Sequence, residues 1–326
     1  TANAISYTGA APVFLDVDRD TLGLSPAAVR RWLEENAELR EVGTRDKGQG
    51  KREKGPSSGL RTPAGRQGTL LRPSDSGGQA RENLEFNKVA VNKKTGCRIA
   101  ACLPMHSFGH PVKLDELKAV LDEYNIPMIE DAAESLGSFY KEQHTGTMGV
   151  SGILSFNGNK VITTGGGGMI LTNDEPTARL AKHLTTQAKV PHAWEYRHDH
   201  IGYNYRLTNI AAALGCAQME TLDTMLQRKR ALAGKYREFF TGSEYVFFSE
   251  PEDCRSNYWL NVILAQDRQH RDELLRYTND HGVMTRPAWE LMHTLPMFMD
   301  CRRDGLENSR WLVDRIVNIP SSAIEL

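Results

Sequence analysis

At 326 residues the chain has room for one large domain plus a smaller one, and its 40% apolar content is ordinary for a globular protein. A formal net charge of −1 excludes both a global basic field for nucleic acid and an acidic solvating tail. The five scattered cysteines (Cys97, Cys102, Cys216, Cys254 and Cys301) include no CxxC pair, which argues against a zinc ribbon or a disulfide framework and fits a reduced, cytoplasmic compartment. No apolar run approaches the roughly 18 residues that a membrane helix needs. The opening TANAISYTGA lacks the layout of a signal peptide and reads as strand or loop. Without an initiator Met it is expected to be the start of a truncated or processed chain.

In chain order, residues 11–17 (APVFLDV) predict a short buried strand, and Ser25-Pro26 opens a helix to about residue 35, proline being harmless in a first helical turn. From 44 to 84 the composition changes: there is no aromatic residue, Val or Ile, eight Gly, and nine Lys/Arg against four Asp/Glu. Such a stretch cannot bury enough apolar surface to offset its ordering entropy, so it is expected to be a disordered insertion. A nucleic-acid-binding arm is the poorer account, because single-strand binders interleave stacking rings with charge. Order resumes near Val89. A strand at 98–103, a helix at 113–124 with Leu114, Leu117, Leu121 and Tyr124 on one face, and a strand at 127–130 ending on Asp131 make a βαβ unit. That unit implies a mostly parallel central sheet flanked by helices. Strands at 153–156 and 169–172, helical patterns over 176–187 and 207–240, and strand, helix and strand at 257–264, 271–281 and 283–286 follow. The expected division is a large domain over 1–230 and a smaller α/β domain over 231–326.

The chemistry concentrates in IEDAAESLGS (129–138), SFNGNK (155–160) and TTGGGG (163–168). Asp131 lies just past the end of a buried parallel strand, the edge at which ligands of open α/β sheets bind. It could serve a cofactor or cap the next helix. Lys160 follows an apolar strand, sits among small residues and has an acid available from the neighbouring strand end. Desolvation there would lower its pKa and release the free amine, which attacks carbonyls. An acid such as Asp131 could pair with a protonated pyridine nitrogen, the interaction that makes pyridoxal phosphate (PLP) an electron sink. The Gly165–Gly168 run fits neither GxxxxGK[ST] nor a helix-opening GxGxxG, and reads better as a tight turn or bulge.

On these motifs the chain resembles the DegT/DnrJ/EryC1/StrS sugar aminotransferases, PLP-dependent enzymes of aspartate aminotransferase fold type I. PMHSFGHPVKLDELKAVLDEYNIPMIEDAAESLGSFY, LSFNGNKVITTGGGGMI, HLTTQAKVPHAWEY and GYNYRLTNIAAALGCAQME are similar to the LegC-like branch, and residues 1–35, SNYWLNVIL and TRPAWELMH extend the likeness outside the 44–84 insertion. The resemblance implies transfer of an amino group from L-glutamate to C4 of a UDP-linked 4-keto-6-deoxy-N-acetylhexosamine, in surface-polysaccharide amino-sugar biosynthesis. It implies Lys160 as the Schiff-base lysine and proton shuttle, Asp131 on the pyridinium N–H, Ser155 on the PLP phosphate, and Glu134 where many relatives have Gln near the cofactor hydroxyl. Asn204 would reach the phosphate of a neighbouring subunit, making the active unit a homodimer. Arg206, Arg286 and His293 are implied for the sugar nucleotide, and no metal is expected; His106 reads as structural. Related 3-dehydratases carry His at the position of Lys160. Family members also have an N-terminal segment with a phosphate-cradling Gly-Thr/Ser turn and a ring that stacks on the pyridine. Its absence here makes an inactive fold that binds no PLP the alternative expectation.

Overall fold

The computed structural model describes residues 1–41 and 88–322. The expected insertion at 44–84 lies outside the described residues. The chain opens with α1 (Ala2–Tyr7), a helix where strand or loop was expected. The buried strand expected at 11–17 is reduced to β1 (Val13–Phe14), which is partly exposed and pairs in parallel with a late strand, Arg302–Arg303. Next, α2 (Pro26–Asn36) starts where Ser25 Oγ accepts the Ala28 N–H at 3.3 Å, with Pro26 in the first turn. It leads into β2 (Ala37–Glu41), which pairs antiparallel with β3 (Lys88–Asn92) from Ala37↔Asn92 to Glu41↔Lys88. The chain therefore leaves for the 42–87 stretch and returns at one ribbon, so length added there need not disturb the rest.

The βαβ reading holds in topology, but its first strand, expected at 98–103, is reduced to isolated parallel bridges at Cys102 and Met105. Residues 102–105 run parallel to β4 (Ile129–Asp131) through the pairs Cys102↔Met128 and Met105↔Asp131, and α3 (Leu114–Glu123) makes the crossover. The face chosen by the 3.6-residue period is the buried one: Leu114, Leu117 and Leu121 are sealed against Trp32, Leu33 and Met128. Each such leucine contributes about 2 kcal/mol of apolar burial. After the short hairpin β5 (Phe139–Tyr140) and β6 (Gln143–His144), β7 (Ser151–Ser155) returns beside β4 in parallel, and β8 (Gly168–Leu171) closes the sheet antiparallel to β7.

The sheet is therefore mixed, not mostly parallel. Of the nine strand pairings among the described residues, only β1 with its late partner and β4 with β7 are parallel, so crossovers are the exception. The reason lies in the connections. Parallel neighbours need a crossover, usually helical, whereas the 156–167 loop between β7 and β8 has no helix and brings the chain back beside the strand it left.

The helical pattern at 176–187 forms α4 (Glu175–Thr185), capped by Asp174. The long pattern at 207–240 is two helices, α5 (Asn209–Met219) and α6 (Leu222–Phe239), broken at Glu220–Thr221. The first half of α6 packs on Leu154, Phe156 and Ile162; its second half packs on the C-terminal sheet. The division expected at 230/231 thus falls inside one continuous helix. That last sheet comprises β9 (Val246–Phe247), β11 (Asn261–Leu264), β12 (Arg286–Pro287) and β14 (Ile316–Ile319), all antiparallel, while β10 (Cys254–Arg255) joins β5 and β13 is Arg302–Arg303. Helices α7 (Arg268–Asp280) and α8 (Glu307–Val313) complete it. All five cysteines are free thiols, and no helix of the described residues is long and apolar enough to cross a membrane.

Candidate active site

Strands β4 and β7 lie side by side and point the same way, with Asp131 opposite Ile153. Their ends therefore place Asp131 and Ser155 on one edge of the sheet, the carboxyl edge where a ligand can meet both. Beyond Ser155 the chain turns: the Lys160 N–H donates to the Asn157 carbonyl at 3.0 Å, and Asn157 N–H donates to Ser155 Oγ at 3.3 Å. Thr163 and Thr164 then tie the loop back to the Phe156 carbonyl. Gly167, at φ +95°, lets the loop rejoin β8 in a backbone conformation that side chains resist. The glycine run is a turn, as its sequence suggested.

This turn buries the Lys160 amine. Its side chain is 13% exposed, with Nζ 3.8 Å from Glu134 Oε1 and 3.9 Å from the centre of the Trp259 ring. Burial pulls the lysine below its ordinary range, opposed by the charges of Glu134 and Asp131. Burial also pushes Glu134 up to about 6, opposed by Lys160 and by the Phe108 N–H, which donates to Glu134 Oε2 at 2.8 Å. Both partners are driven toward their neutral forms. Burial thus brings the two groups closer in proton affinity and lowers the cost of passing a proton from the amine to the carboxylate. Asp131 accepts the Ala133 N–H at 3.2 Å through Oδ1 and a hydrogen bond from the Thr1 hydroxyl through Oδ2.

His106 lies close by but is used differently. It is fully buried; its Nδ1 accepts the Val112 N–H at 3.3 Å, which leaves Nε2 to donate to Glu130 at 3.1 Å. Glu130 also accepts the N–H groups of Gly146, Met148 and Gly149 at 2.6–2.7 Å. Every polar atom of the pair is occupied, in agreement with a structural role.

The remaining candidates lie elsewhere. Asn204 is exposed; the flanking Tyr203 and Tyr205 rings stack on each other, and its backbone bridges Thr186. Arg206 is exposed. Arg286 bonds Asn279 and the Thr285 carbonyl on the C-terminal sheet, and His293 lies in a short 3-10 turn. Among the described residues, no hydrogen bond or ion pair links these four to Asp131, Ser155 or Lys160. Conversely, Trp259, Asn257 and Phe108 stand at the lysine–carboxylate cluster although their own sequence surroundings carry no chemical signal. An open cavity of about 940 Å³ between α2 and residues 302–307 contains none of the cluster.

The site fits PLP. It offers a desolvated primary amine for the cofactor's aldehyde, a carboxylate at a strand end for its ring nitrogen, and a hydroxyl on the adjacent strand end for its phosphate. A profile of the DegT/DnrJ/EryC1/StrS aminotransferase family matches residues 1–39 and 82–324. EpsN of Bacillus subtilis (strain 168), named as a pyridoxal-phosphate-dependent aminotransferase, is 34% identical over 299 residues, covering 91% of this chain and 62% of EpsN. The GDP-perosamine synthase of Escherichia coli O157:H7 is 36% identical over 242 residues, covering 74% of this chain and 65% of the enzyme. A DegT DnrJ EryC1 StrS aminotransferase structure from Brucella abortus superposes with a TM-score of 0.74 at 21% identity, covering 99% of this chain and 71% of that one. That likeness shows the fold, type I. The chain spans a little under two thirds of the length of the curated relatives it matches.

Proposed function

Because the chain belongs to the DegT/DnrJ/EryC1/StrS family of PLP-dependent sugar-nucleotide aminotransferases, we propose that it transfers an amino group to the C4 ketone of a nucleotide-linked 4-keto-6-deoxy sugar, with Lys160 as its catalytic residue. The observation that carries this reading is the buried pair of Lys160 and Glu134, 3.8 Å apart at the strand edge that also holds Asp131 and Ser155. Bound there, PLP would supply an electron sink for carbanion character at the carbon that exchanges its amine.

The residues of the chain do the rest. Lys160 would hold the cofactor through its aldehyde and, as the free amine, would be the base that takes and returns a proton at the sugar's C4. Glu134, buried and pushed up to about 6, can hold the proton that Lys160 gives up. Asp131 would hold the proton on the ring nitrogen, and Ser155 would donate to the phosphate. Asn204, exposed beyond the cluster, serves the phosphate site of a second copy in a homodimer; Arg206, Arg286 and His293 remain candidates for the sugar nucleotide. L-glutamate is the amino donor, and the cytoplasm is the compartment.

For the sugar, the likeness of HLTTQAKVPHAWEY and GYNYRLTNIAAALGCAQME to the LegC-like branch supports a UDP-linked N-acetylhexosamine. The 36% identity to a GDP-perosamine synthase supports a GDP-linked sugar as the second reading. The test is to incubate the protein with PLP, reduce with borohydride and map the modified peptide. Label on Lys160, followed by glutamate-dependent amination of the UDP-ketosugar in preference to the GDP-ketosugar, is the expected result. Preference for the GDP-ketosugar selects the second reading, and an unlabelled protein leaves a fold of this family that binds no cofactor.

A further inference from the structure

We propose that Trp259 is a positioning residue for Lys160, delivered by the C-terminal segment 257–259 to fix both the backbone and the amine of the lysine loop. The proposal rests on the reading of Lys160 as the reactive amine.

Trp259 is 4% exposed and held at three points. Its indole N–H donates to the Asn159 carbonyl at 2.7 Å, immediately before Lys160. Its backbone N–H donates to Asn257 Oδ1 at 2.8 Å, and its carbonyl accepts from the buried Lys229 ammonium at 3.1 Å. The ring face then stands 3.9 Å from Lys160 Nζ. One side chain thus pins the turn and offers the amine a π surface, which favours the cation and limits where it can point.

The anchor of this tryptophan reaches the carboxylate side as well. Asn257, fully buried, donates to the carbonyls of Glu134 and Leu136 at 2.8 and 2.9 Å. Its approach depends on Gly109, at φ +96°, where an added Cβ would fall 1.9 Å from Asn257 Oδ1. A second path closes the circuit: Trp259 stacks on Trp289 at 6.3 Å, Trp289 on Phe108 at 6.1 Å, and the Phe108 N–H donates to Glu134. Lys160 and Glu134 come from separate loops. The 257–259 segment holds both, so their separation is set by a third part of the chain.

The decisive measurement needs no cofactor. Lysines are dimethylated with ¹³C-formaldehyde, the Lys160 signal is identified by its loss in Lys160→Arg, and its titration midpoint is read by NMR. The charged groups facing it are Glu134 and Asp131. Trp259→Leu keeps apolar cover but removes the π face, and should lower the midpoint by about half a pH unit. Trp259→Phe should lower it by less than half as much, and Trp289→Phe should leave it in place. An unchanged midpoint in folded Trp259→Leu overturns the proposal, as does an equal shift in Trp289→Phe. Should Trp259→Leu fail to fold, Trp259→Phe decides by the rate of PLP capture at Lys160. Loss of the Asn159 clamp should slow capture about three-fold or more, a capture rate equal to wild type overturning the proposal. Failure of the wild-type protein to capture PLP would remove the functional reading, while the NMR midpoints still decide the positioning.

Discussion

Two buried acid–base pairs stand four residues apart on the same segment, and although burial pushes both carboxyls upward their net shifts are opposite. In the first, Glu130 meets His106 at 3.1 Å and accepts three further backbone N–H groups. Burial would raise its pKa, but these bonds outweigh it and hold the carboxyl below its ordinary range. In the second, Glu134 has one backbone N–H and a lysine 3.8 Å away, and burial wins, pushing it up to about 6. The difference teaches that depth alone does not choose the charge state. The number of hydrogen bonds offered to the charged form does. A satisfied pair is structure, whereas a pair left short of partners keeps a proton that can be moved.

Four substitutions test that contrast, in decreasing order of effect. Lys160→Ala should cut amination by about a thousand-fold or more and abolish borohydride-trapped PLP, with the melting temperature little changed. Appreciable turnover by this variant would remove Lys160 from its role. Glu130→Ala strips His106 and three N–H groups of their acceptor and should cost about 3–5 kcal/mol in denaturant unfolding, with turnover per folded molecule preserved.

Glu134→Gln keeps an acceptor for Phe108 but cannot take the Lys160 proton, so turnover should fall roughly ten- to a hundred-fold. The pH dependence of stability should separate the two acids. The stability supplied by Glu130, whose folded pKa is depressed, is present above its unfolded value of 4.5 and is lost as pH falls through the folded value. Glu134 acts in the reverse sense: its contribution is full below 4.5 and is lost as pH rises through about 6. Stability curves of Glu134→Gln should therefore lose a declining limb between 4.5 and about 6, and an unaltered limb would contradict the assignment. The smallest effect is expected at Lys229, a second desolvated lysine whose pKa burial lowers to about 8. Its ammonium is spent on the Trp259 and Ser321 carbonyls, so Lys229→Met should cost about 1–2 kcal/mol and slow PLP capture at Lys160 by less than Trp259→Phe does.

Much of the site was legible because its parts are close in sequence. Asp131, Ser155 and Lys160 fall within thirty residues, and an apolar strand followed by a small-residue turn announces both the strand end and the lysine. The buried face of α3 followed from its leucine spacing in the same way. The expectation of a mostly parallel sheet failed because strand direction depends on the connection, and the helix-free 156–167 loop returns β8 antiparallel to β7. The break between α5 and α6 was missed because Glu220 and Thr221 do not interrupt the helical pattern.

Sequence by itself thus determined the buried face of α3 and put Lys160, Asp131 and Ser155 forward as candidates, since strand ends and apolar periods are local properties. Only the tertiary structure decided the protonation balance of Glu134 and Lys160 and the presence of Trp259 beside them. Desolvation and hydrogen-bond supply are set by whatever packs around a group, and here the packing arrives from about a hundred residues away in the chain.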